Sequence, residues 1–191
     1  IQTEGIFVGG SAISAPIIGE DFNWSGGDGT YQVLDDGGGN WRIKFLSSGT
    51  FTPLKNMVID VFLVGGGGGA GSSYCGAGGA GYTTTVRSVV VAANTAYPIV
   101  VGAAGTQTYT VQSDGGTSSA FSAVANGGHH SVSGDKTWKK TGANGGSGGG
   151  GQYADGGTDG SDGATGDTAG GKGQGTTTLS LIHISEPTRP Y

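Results

Sequence analysis

Three glycines in the first glycine-rich run, Gly66, Gly68 and Gly71, satisfy the spacing G-x-G-x-x-G. In dinucleotide-binding proteins this spacing follows a strand and lets a pyrophosphate approach the backbone at the N-terminus of a helix. The site also requires an acidic residue about twenty positions further on. Here 72–76 and a second glycine block follow the run, so we expect no helix and no dinucleotide site. No Lys-Ser/Thr pair ends the run, which excludes a P-loop.

Four aspartates in the last glycine-rich stretch are spaced as in calcium-binding glycine-aspartate repeats. The nonapeptide form of that repeat requires Gly-Gly-x-Gly-x-Asp followed by a large apolar residue. Residues 156–161 lack the apolar position. We therefore expect no cofactor, with structural calcium as the less favoured alternative. The four residues are Asp155, Asp159, Asp162 and Asp167.

His129 and His130 are adjacent, and neighbouring side chains on a strand point to opposite faces. They could not readily share a metal ion, so we expect exposed histidines that bind none. The single Cys75 excludes an intramolecular disulfide and a cysteine-based zinc site, and no basic residue nearby would stabilise its thiolate. With no base beside a nucleophile and no pair of acids, we predict that the chain is not an enzyme.

The charge of the chain limits its partners. The formal net charge is −5 and the sequence pI is about 4.9, whereas a phosphate-backbone partner requires clustered basic residues. Lys139-Lys140, next to Trp138, is the only adjacent basic pair in the sequence. No apolar run approaches the roughly 18 residues of a membrane-spanning helix. We expect no nucleic-acid partner and no membrane insertion.

Short runs of β-forming residues indicate the elements that hold the glycine-rich stretches. Residues 41–45 alternate, with Trp41, Ile43 and Phe45 on one face, and 58–64 form the most apolar run. Further strands are predicted over 83–91, 97–101, 106–111 and 118–124, with Asn126-Gly127 as a turn and with Pro98 at a sheet edge or a strand start. Strands at this spacing predict an all-β fold, a small sandwich or barrel-like core of antiparallel strands with long glycine-rich loops.

Glycine supplies 44 of the 191 residues, roughly three times the ordinary usage of about 7%. Gly157, Gly160, Gly163 and Gly166 fall at every third position, which matches a polyproline-II-type helix with three residues per turn. We therefore predict packed polyglycine-II helices joined by backbone hydrogen bonds. A flexible linker is the alternative for this stretch, and a disordered low-complexity chain is the alternative for the whole sequence.

The composition divides the chain into three parts. Residues 1–40 are interpreted as a leader or linker from an upstream module, because apolar patches alternate with turn material. Residues 41–178 form the glycine-rich β domain, strand-rich over 41–125 and loop-like over 126–178. Residues 179–191 resemble a translated sequencing-library adapter and are set aside as a non-native tail, which implies a natural chain truncated after about Thr178.

The order of these motifs resembles the glycine-rich domain of phage tail and tail-fibre-like proteins. A short strand and turn precede an apolar strand that runs into glycines, and further strands and glycine blocks follow in the same order over about 41–178. The segments that carry the resemblance are 45–53, 61–69, 79–83, 97–102, 115–121, 125–128 and 145–150.

The resemblance implies a structural and receptor-recognition module of a phage or prophage tail fibre, located in the virion tail or outside the cell. Its partner would be a carbohydrate or protein on a host cell surface, and homotrimers are common among tail fibres. Aromatic residues inside glycine-rich loops are the candidate receptor contacts, namely Tyr74, Tyr109, Trp138 and Tyr153. The alternative is an adhesive or spacer domain of a bacterial extracellular or cell-surface protein.

Overall fold

A computed structural model of the chain describes residues 6–11, 15–71, 75–107, 111–131 and 142–151. Over these ranges ten strands form two antiparallel sheets, which confirms the all-β prediction, and none of these residues is α-helical. This part of the chain accordingly contains no helix that could cross a membrane. The strands are β1 Ile6–Ser11, β2 Phe22–Trp24, β3 Tyr31–Gly37, β4 Asn40–Phe45, β5 Gly49–Pro53, β6 Met57–Val64, β7 Thr83–Val91, β8 Tyr97–Val100, β9 Ser118–Ala120 and β10 Ala123–Ala125.

The first sheet has the strand order β3-β4-β1-β6-β7. Its strand β4 shows the predicted alternation, because Trp41, Ile43 and Phe45 are all buried in the core. Lys44, on the other face, is covered as well, and its Nζ lies 5.7 Å from the centroid of the Phe7 ring. The apolar face of this sheet therefore forms one wall of the core.

The second sheet has the order β10-β9-β8-β5-β2 and supplies the other wall. At the centre of the core, the Phe51 ring lies 5.6 Å from Phe22 and 5.8 Å from Phe45, measured between centroids. Phe22 and Phe51 come from the second sheet and Phe45 from the first. These aromatic contacts join the two sheets into a sandwich.

The interpretation of 1–40 as a leader does not fit the described residues of that interval. Strand β1 lies inside the first sheet between β4 and β6, and Ile6 and Val8 are fully buried. Phe22 of β2 is also fully buried. The composition was misleading because the apolar residues of this interval are few and widely spaced, and only pairing with β4, β5 and β6 brings them into one core.

In the second sheet one detail differs from the prediction, and another decides between two predicted alternatives. The stretch 118–124 is not one strand, because Phe121 and Ser122 adopt φ values of 48° and 65° and turn the chain between β9 and β10. Positive φ at both central residues is typical of a type I′ hairpin turn. Strand β8 lies between β5 and β9, so Pro98 is not at an edge, but it is the second residue of the strand and pairs with Thr50.

The glycine-rich stretches form a second layer that extends the sandwich. Seven extended segments outside the strands are joined by backbone hydrogen bonds, so most of the expected loops are ordered packing elements. We call this assembly the glycine lattice. In chain order its segments are I (65–71), II (75–82), III (101–107), IV (111–117), V (126–131), VI (142–146) and VII (147–151).

Hydrogen bonding in segment I repeats every three residues. The N–H groups of Gly65 and Gly68 donate to carbonyl oxygens of segment II at 2.9 and 2.8 Å. Those of Gly66 and Gly69 donate to carbonyl oxygens of segment IV at 2.9 and 3.0 Å. A period of three is the repeat of a polyproline-II helix, in which residues i and i+3 face the same neighbour. A three-residue period therefore occurs in segment I, where the sequence predicted a loop, whereas the polyglycine-II helix predicted for the triplet repeat at 157–166 lies outside the described residues.

The hydrogen bonds arrange the segments in two rows. One row has the order III-I-II-VII, and the other has the order IV-V-VI. Each segment of the second row also bonds to the two segments of the first row between which it lies. Segments I, II and V consequently have four bonded neighbours each, whereas III and VII, at the ends of the longer row, have two.

Glycine is required in the lattice because the backbones approach closely. A Cβ atom added to Gly68 would lie 2.0 Å from the carbonyl oxygen of His129, and one added to Gly81 would overlap the carbonyl of Gly65. Neither glycine has φ in the left-handed region, so the backbone conformation itself would accept other residues. The packing therefore requires glycine at these positions because it has no side chain, and not because of its conformational freedom.

Candidate functional site

The lattice has one end at the sheets and one end away from them. Segments I, III and V directly follow β6, β8 and β10, so they lead away from the sheets, and segments II and IV return to β7 and β9. Far from the sheets, the Gly71 N–H donates to Ser131 Oγ at 2.9 Å, and Gln107 Nε2 donates to the Gly71 carbonyl at 3.5 Å. Segments I, III and V thus end side by side, and we call this region the distal end.

Three connections join the outgoing segments to the next ones, and all three leave from the distal end. They comprise 72–74, 108–110 and 132–141, and the described residues before them are Gly71, Gln107 and Ser131. Segment VII finishes at the same end, because the N–H of Ala77, near the start of segment II, donates to the Gly150 carbonyl at 2.8 Å. The distal end is therefore the place from which the connections between outgoing and returning segments leave.

The predicted receptor contacts are related to this end by chain position. Tyr74, Tyr109 and Trp138 belong to the three connections, and Tyr153 comes two residues after segment VII. All four lie outside the described residues, as do the aspartates proposed as a calcium alternative and the segment 179–191. Their roles stay predictions.

A cluster of ionisable side chains joins segments IV and V. The Oδ2 atom of Asp114 lies 3.0 Å from His129 Nδ1, and its Oδ1 atom lies 2.5 Å from His130 Nδ1 and accepts the His130 N–H at 2.8 Å. Sequence reasoning expected the two histidines to face apart, but segment V is not a strand and both rings reach one carboxylate. Asp114 was missed because its partners are distant in sequence and no local spacing reveals the contact.

We predict that Asp114→Asn destabilises the protein in a pH-dependent way. Hydrogen bonds from the backbone N–H and then the side chain of His130 lower the pKa of Asp114 from its ordinary value to about 2. Because the folded pKa is depressed, the contribution is present above about pH 4 and is lost as the pH falls towards 2. Since the Asp114 side chain is 47% exposed, we expect about 1 kcal/mol or less at neutral pH.

Thermal melts of wild type and Asp114→Asn between pH 2 and pH 7 measure this effect. The difference in melting temperature should be constant above about pH 4 and should vanish near pH 2. Asp28→Asn removes the same charge from an exposed position before β3 and should follow the wild type throughout. A difference between wild type and Asp114→Asn that persists unchanged at pH 2 would contradict the assignment.

The G-x-G-x-x-G spacing has a structural explanation in the lattice. Gly66 and Gly68 belong to segment I, and a Cβ atom on Gly66 would lie 2.0 Å from the carbonyl oxygen of Ala103. No helix follows them among the described residues. Cys75 is a half-buried free thiol, and the described ranges contain no group of three or more His, Cys, Asp or Glu side chains placed to hold a metal ion.

A groove lies at the opposite end of the sandwich, away from the lattice. It has a volume of about 320 Å³ and its walls come from the end of β7, the start of β8 and the β9–β10 turn. The Tyr97 and Phe121 rings, 5.2 Å apart between centroids, form its aromatic part. The sequence contained no signal for this groove, because its walls come from three separate stretches of chain.

Comparison with known proteins identifies one family. A family model described as a glycine-rich domain matches residues 46–181, which is most of the chain and extends beyond residue 178. The match begins just before β5, although β1 and β4 share the first sheet with β6 and β7. No curated protein and no solved structure matches the sequence. The chain belongs to the family of glycine-rich domains.

Proposed function

We propose that this chain is a non-catalytic structural and receptor-recognition module of a phage or prophage tail fibre. In this role the β-sandwich and the glycine lattice form a rigid support, and the connections at the distal end contact a host cell surface. The partner is a surface carbohydrate or protein, and the site of action is the virion tail. The proposal rests on the arrangement of the lattice and on the resemblance of the sequence motifs.

The observation that carries the proposal is the convergence of the chain at the distal end. Gly71 hydrogen-bonds to both Gln107 and Ser131 there, and each of the three residues precedes a connection of the chain. Ser131 is only 2% exposed, so the distal end from which the connections start is well packed. Binding residues are commonly found on loops that a rigid scaffold positions. Connections that start from packed residues can differ in sequence while the scaffold that positions them stays the same.

The side chains available in these connections suit recognition of a sugar or a protein surface. Tyr and Trp each combine a large apolar face with a polar group, which makes them frequent contributors to binding energy. Tyr74, Tyr109, Trp138 and Tyr153 are therefore the proposed contacts. The formal net charge of −5 makes recognition of a phosphate backbone unfavourable.

The experiment is a binding screen of the labelled full chain against a panel of bacterial strains. Simultaneous replacement of the four aromatic residues by alanine should weaken binding to any responsive strain by about tenfold or more, because aromatic anchors dominate such interfaces. The control is Val58→Ala with Val90→Ala, which removes exposed apolar side chains that pair across β6 and β7. Undiminished binding by the four-residue variant, with an unchanged thermal melt, would contradict the assignment of these contacts.

The second candidate function is an adhesive or spacer domain of a bacterial extracellular protein. The two-row lattice supports this second function, because seven segments joined by backbone hydrogen bonds would form a stiff spacer that requires no receptor. Genes for tail or baseplate proteins beside the source gene would favour the tail fibre, and a cell-wall anchor would favour the spacer. Sedimentation of the full chain would test the proposed homotrimer in either case.

A further inference from the structure

The outer edge of β7 is covered by the second sheet over only part of its length. Near the lattice, Thr84 Oγ1 donates to the Val124 carbonyl oxygen of β10 at 2.7 Å. Strand β10 begins at Ala123 and has only three residues, whereas β7 continues further away from the lattice. Over residues 89–91, β7 pairs with β6 on one side, and no described residue hydrogen-bonds to its other side. These residues form an open sheet edge, to which a further strand can add.

A β-bulge separates the covered part of β7 from the open part. The pairing with β6 shifts opposite Asp60, whose Oδ1 atom accepts the Ser88 N–H at 2.8 Å, and Ser88 has a φ of 55°. Bulges are frequent next to binding sites because they change the direction of a strand. Regular pairing with β6 resumes at Val89. The open part therefore has regular strand geometry, as pairing with an added strand requires.

The open edge is also one wall of the groove at this end of the sandwich. Val89 and Val90 line the groove together with the Tyr97 and Phe121 rings. Val90 is 75% exposed, and Val58, its partner across β6 and β7, is 57% exposed. Exposed apolar side chains that adjoin an apolar groove are typical of a protein interaction surface. The groove volume of about 320 Å³ is at the small end of binding pockets, which suits one or two side chains of a partner.

The chemistry of the groove suits a peptide better than a sugar. Six residues line it, and only Tyr97 and Ser122 among them have polar side chains. The Tyr97 hydroxyl already accepts the Ala92 N–H at 2.9 Å. A sugar would leave most of its hydroxyl groups without partners in such a groove, which is unfavourable. An extended peptide would instead pair its backbone with the open edge and place an apolar side chain in the groove.

Arg87 adds a positive charge to this surface of an acidic chain. It is exposed and precedes Val89 by two residues. The ion pairs among the described residues involve Arg42, Lys55 and the two histidines, so no carboxylate of this part of the chain pairs with Arg87. A carboxylate on an added segment would therefore meet an unpaired cation next to the groove. This charge complementarity favours a segment that combines apolar and acidic residues.

We propose that the open edge of β7 binds an extended segment of a partner protein as a sixth strand of the first sheet. The segment places one apolar side chain in the groove against Tyr97 and Phe121, and a carboxylate beside Arg87. The first sheet then has the order β3-β4-β1-β6-β7-partner. The site lies at the end of the sandwich opposite the distal end, so it does not depend on receptor recognition and would serve a spacer equally well.

Peptide binding to the full chain, measured by fluorescence anisotropy, tests the proposal. The probes are labelled Glu-Thr-Phe-Thr-Val-Thr and Thr-Phe-Thr-Val-Thr-Glu, which offer the carboxylate for either strand direction. The tighter of the two is then N-methylated on the Phe and Val amides in one derivative and on the threonine amides in another. Because successive residues of a strand direct their N–H groups to opposite edges, only one derivative should lose affinity, by about tenfold or more, and the other should stay within about twofold.

Two matched valine variants locate the binding site. Val90→Glu places a charge beside the groove, whereas Val124→Glu places the same charge on β10, where Val124 is 52% exposed. Both should melt within about 2 °C of wild type, since both side chains are exposed. Val90→Glu should weaken peptide binding by about tenfold or more, and Val124→Glu by less than about twofold.

Arg87→Glu tests the charge complementarity separately. It should weaken binding of the glutamate peptide by about threefold or more, because the carboxylate then meets a like charge. The same peptide with lysine in place of glutamate should bind Arg87→Glu better than it binds wild type. Absence of this reversal would overturn the predicted contact between Arg87 and a carboxylate.

Other results would overturn the proposal as a whole. Equal binding by the two methylated derivatives would mean that the groove holds apolar groups without strand pairing, and equal effects of Val90→Glu and Val124→Glu would place the peptide elsewhere. Absence of binding by both peptides at about 1 mM would show that the edge does not accept a strand. Self-association of wild type that Val90→Glu abolishes would assign the edge to a second copy. Binding of a surface polysaccharide that only Val90→Glu abolishes would assign the groove to a sugar.

Discussion

Gly68→Ala is expected to lower the free energy of unfolding by about 3 kcal/mol or more, at the upper end of what overpacking costs. The added methyl group would lie 2.0 Å from the carbonyl oxygen of His129, far inside contact distance. The obstacle is backbone, so no side-chain rotation can relieve it. Segments I and V must separate, which strains the Gly66–Gly128 hydrogen bond of 2.9 Å between them. The melting temperature should fall by about 6–12 °C.

Gly67→Ala is the matched control at the neighbouring position. Its added Cβ atom would lie 3.8 Å from the Gly79 carbonyl oxygen, an ordinary contact, and the φ of Gly67 is not left-handed. We expect a neutral or slightly stabilising effect, up to about 1 kcal/mol, because alanine restricts the unfolded chain. Circular dichroism melts of both variants measure the contrast. Melting temperatures within about 2 °C of each other would show that segments I and V are not packed as described.

Phe51→Ala is expected to destabilise the sandwich by about 3–5 kcal/mol. The Phe51 ring is fully buried and contacts aromatic rings from both sheets. It also lies 6.2 Å from Phe121 of the β9–β10 turn, so its loss affects the pairing at that end of the second sheet. Truncation to alanine leaves a cavity that the surrounding aromatic side chains cannot fill completely. Urea unfolding at constant pH gives the change in free energy.

Val124→Ala in the same sheet is the control for Phe51→Ala. Val124 is 52% exposed on β10, so its truncation should change stability by no more than about 0.5 kcal/mol. Phe51→Leu should fall between the two because it keeps most of the buried volume. Equal destabilisation by Phe51→Ala and Val124→Ala would mean that Phe51 is not at the centre of the core.

Most strands with strong local patterns were predictable. Residues 83–91 are rich in β-branched side chains and form β7 with the expected bounds, and 41–45 alternate as β4 requires. The spacing of apolar residues indicates a strand without knowledge of its partner, because a strand in a sandwich buries one face whichever strands it pairs with. The all-β class followed from the same kind of local regularity.

Other elements depended on distant partners. Strand β1 contains two glycines in six residues and looks like linker, yet Ile6 and Val8 are buried because β4 and β6 pair with it on both sides. The contact of Asp114 with His129 and His130 likewise joins separate segments of the lattice. Neither contact could be derived from spacing, since each requires the order of strands or rows.

The amino-acid sequence was sufficient for the class of structure, because alternation of apolar residues and glycine at every third position are consequences of helix and strand geometry over a few residues. It predicted the glycine-rich stretches between the strands as loops, whereas the structure packs them into the lattice. The order of the two sheets, the two rows of the lattice and the gathering of the chain connections at one end depend on which segments hydrogen-bond to each other. Backbone N–H and C=O groups are alike at every glycine, so a local stretch carries no information about its partner, and the partner is selected by the folded chain as a whole.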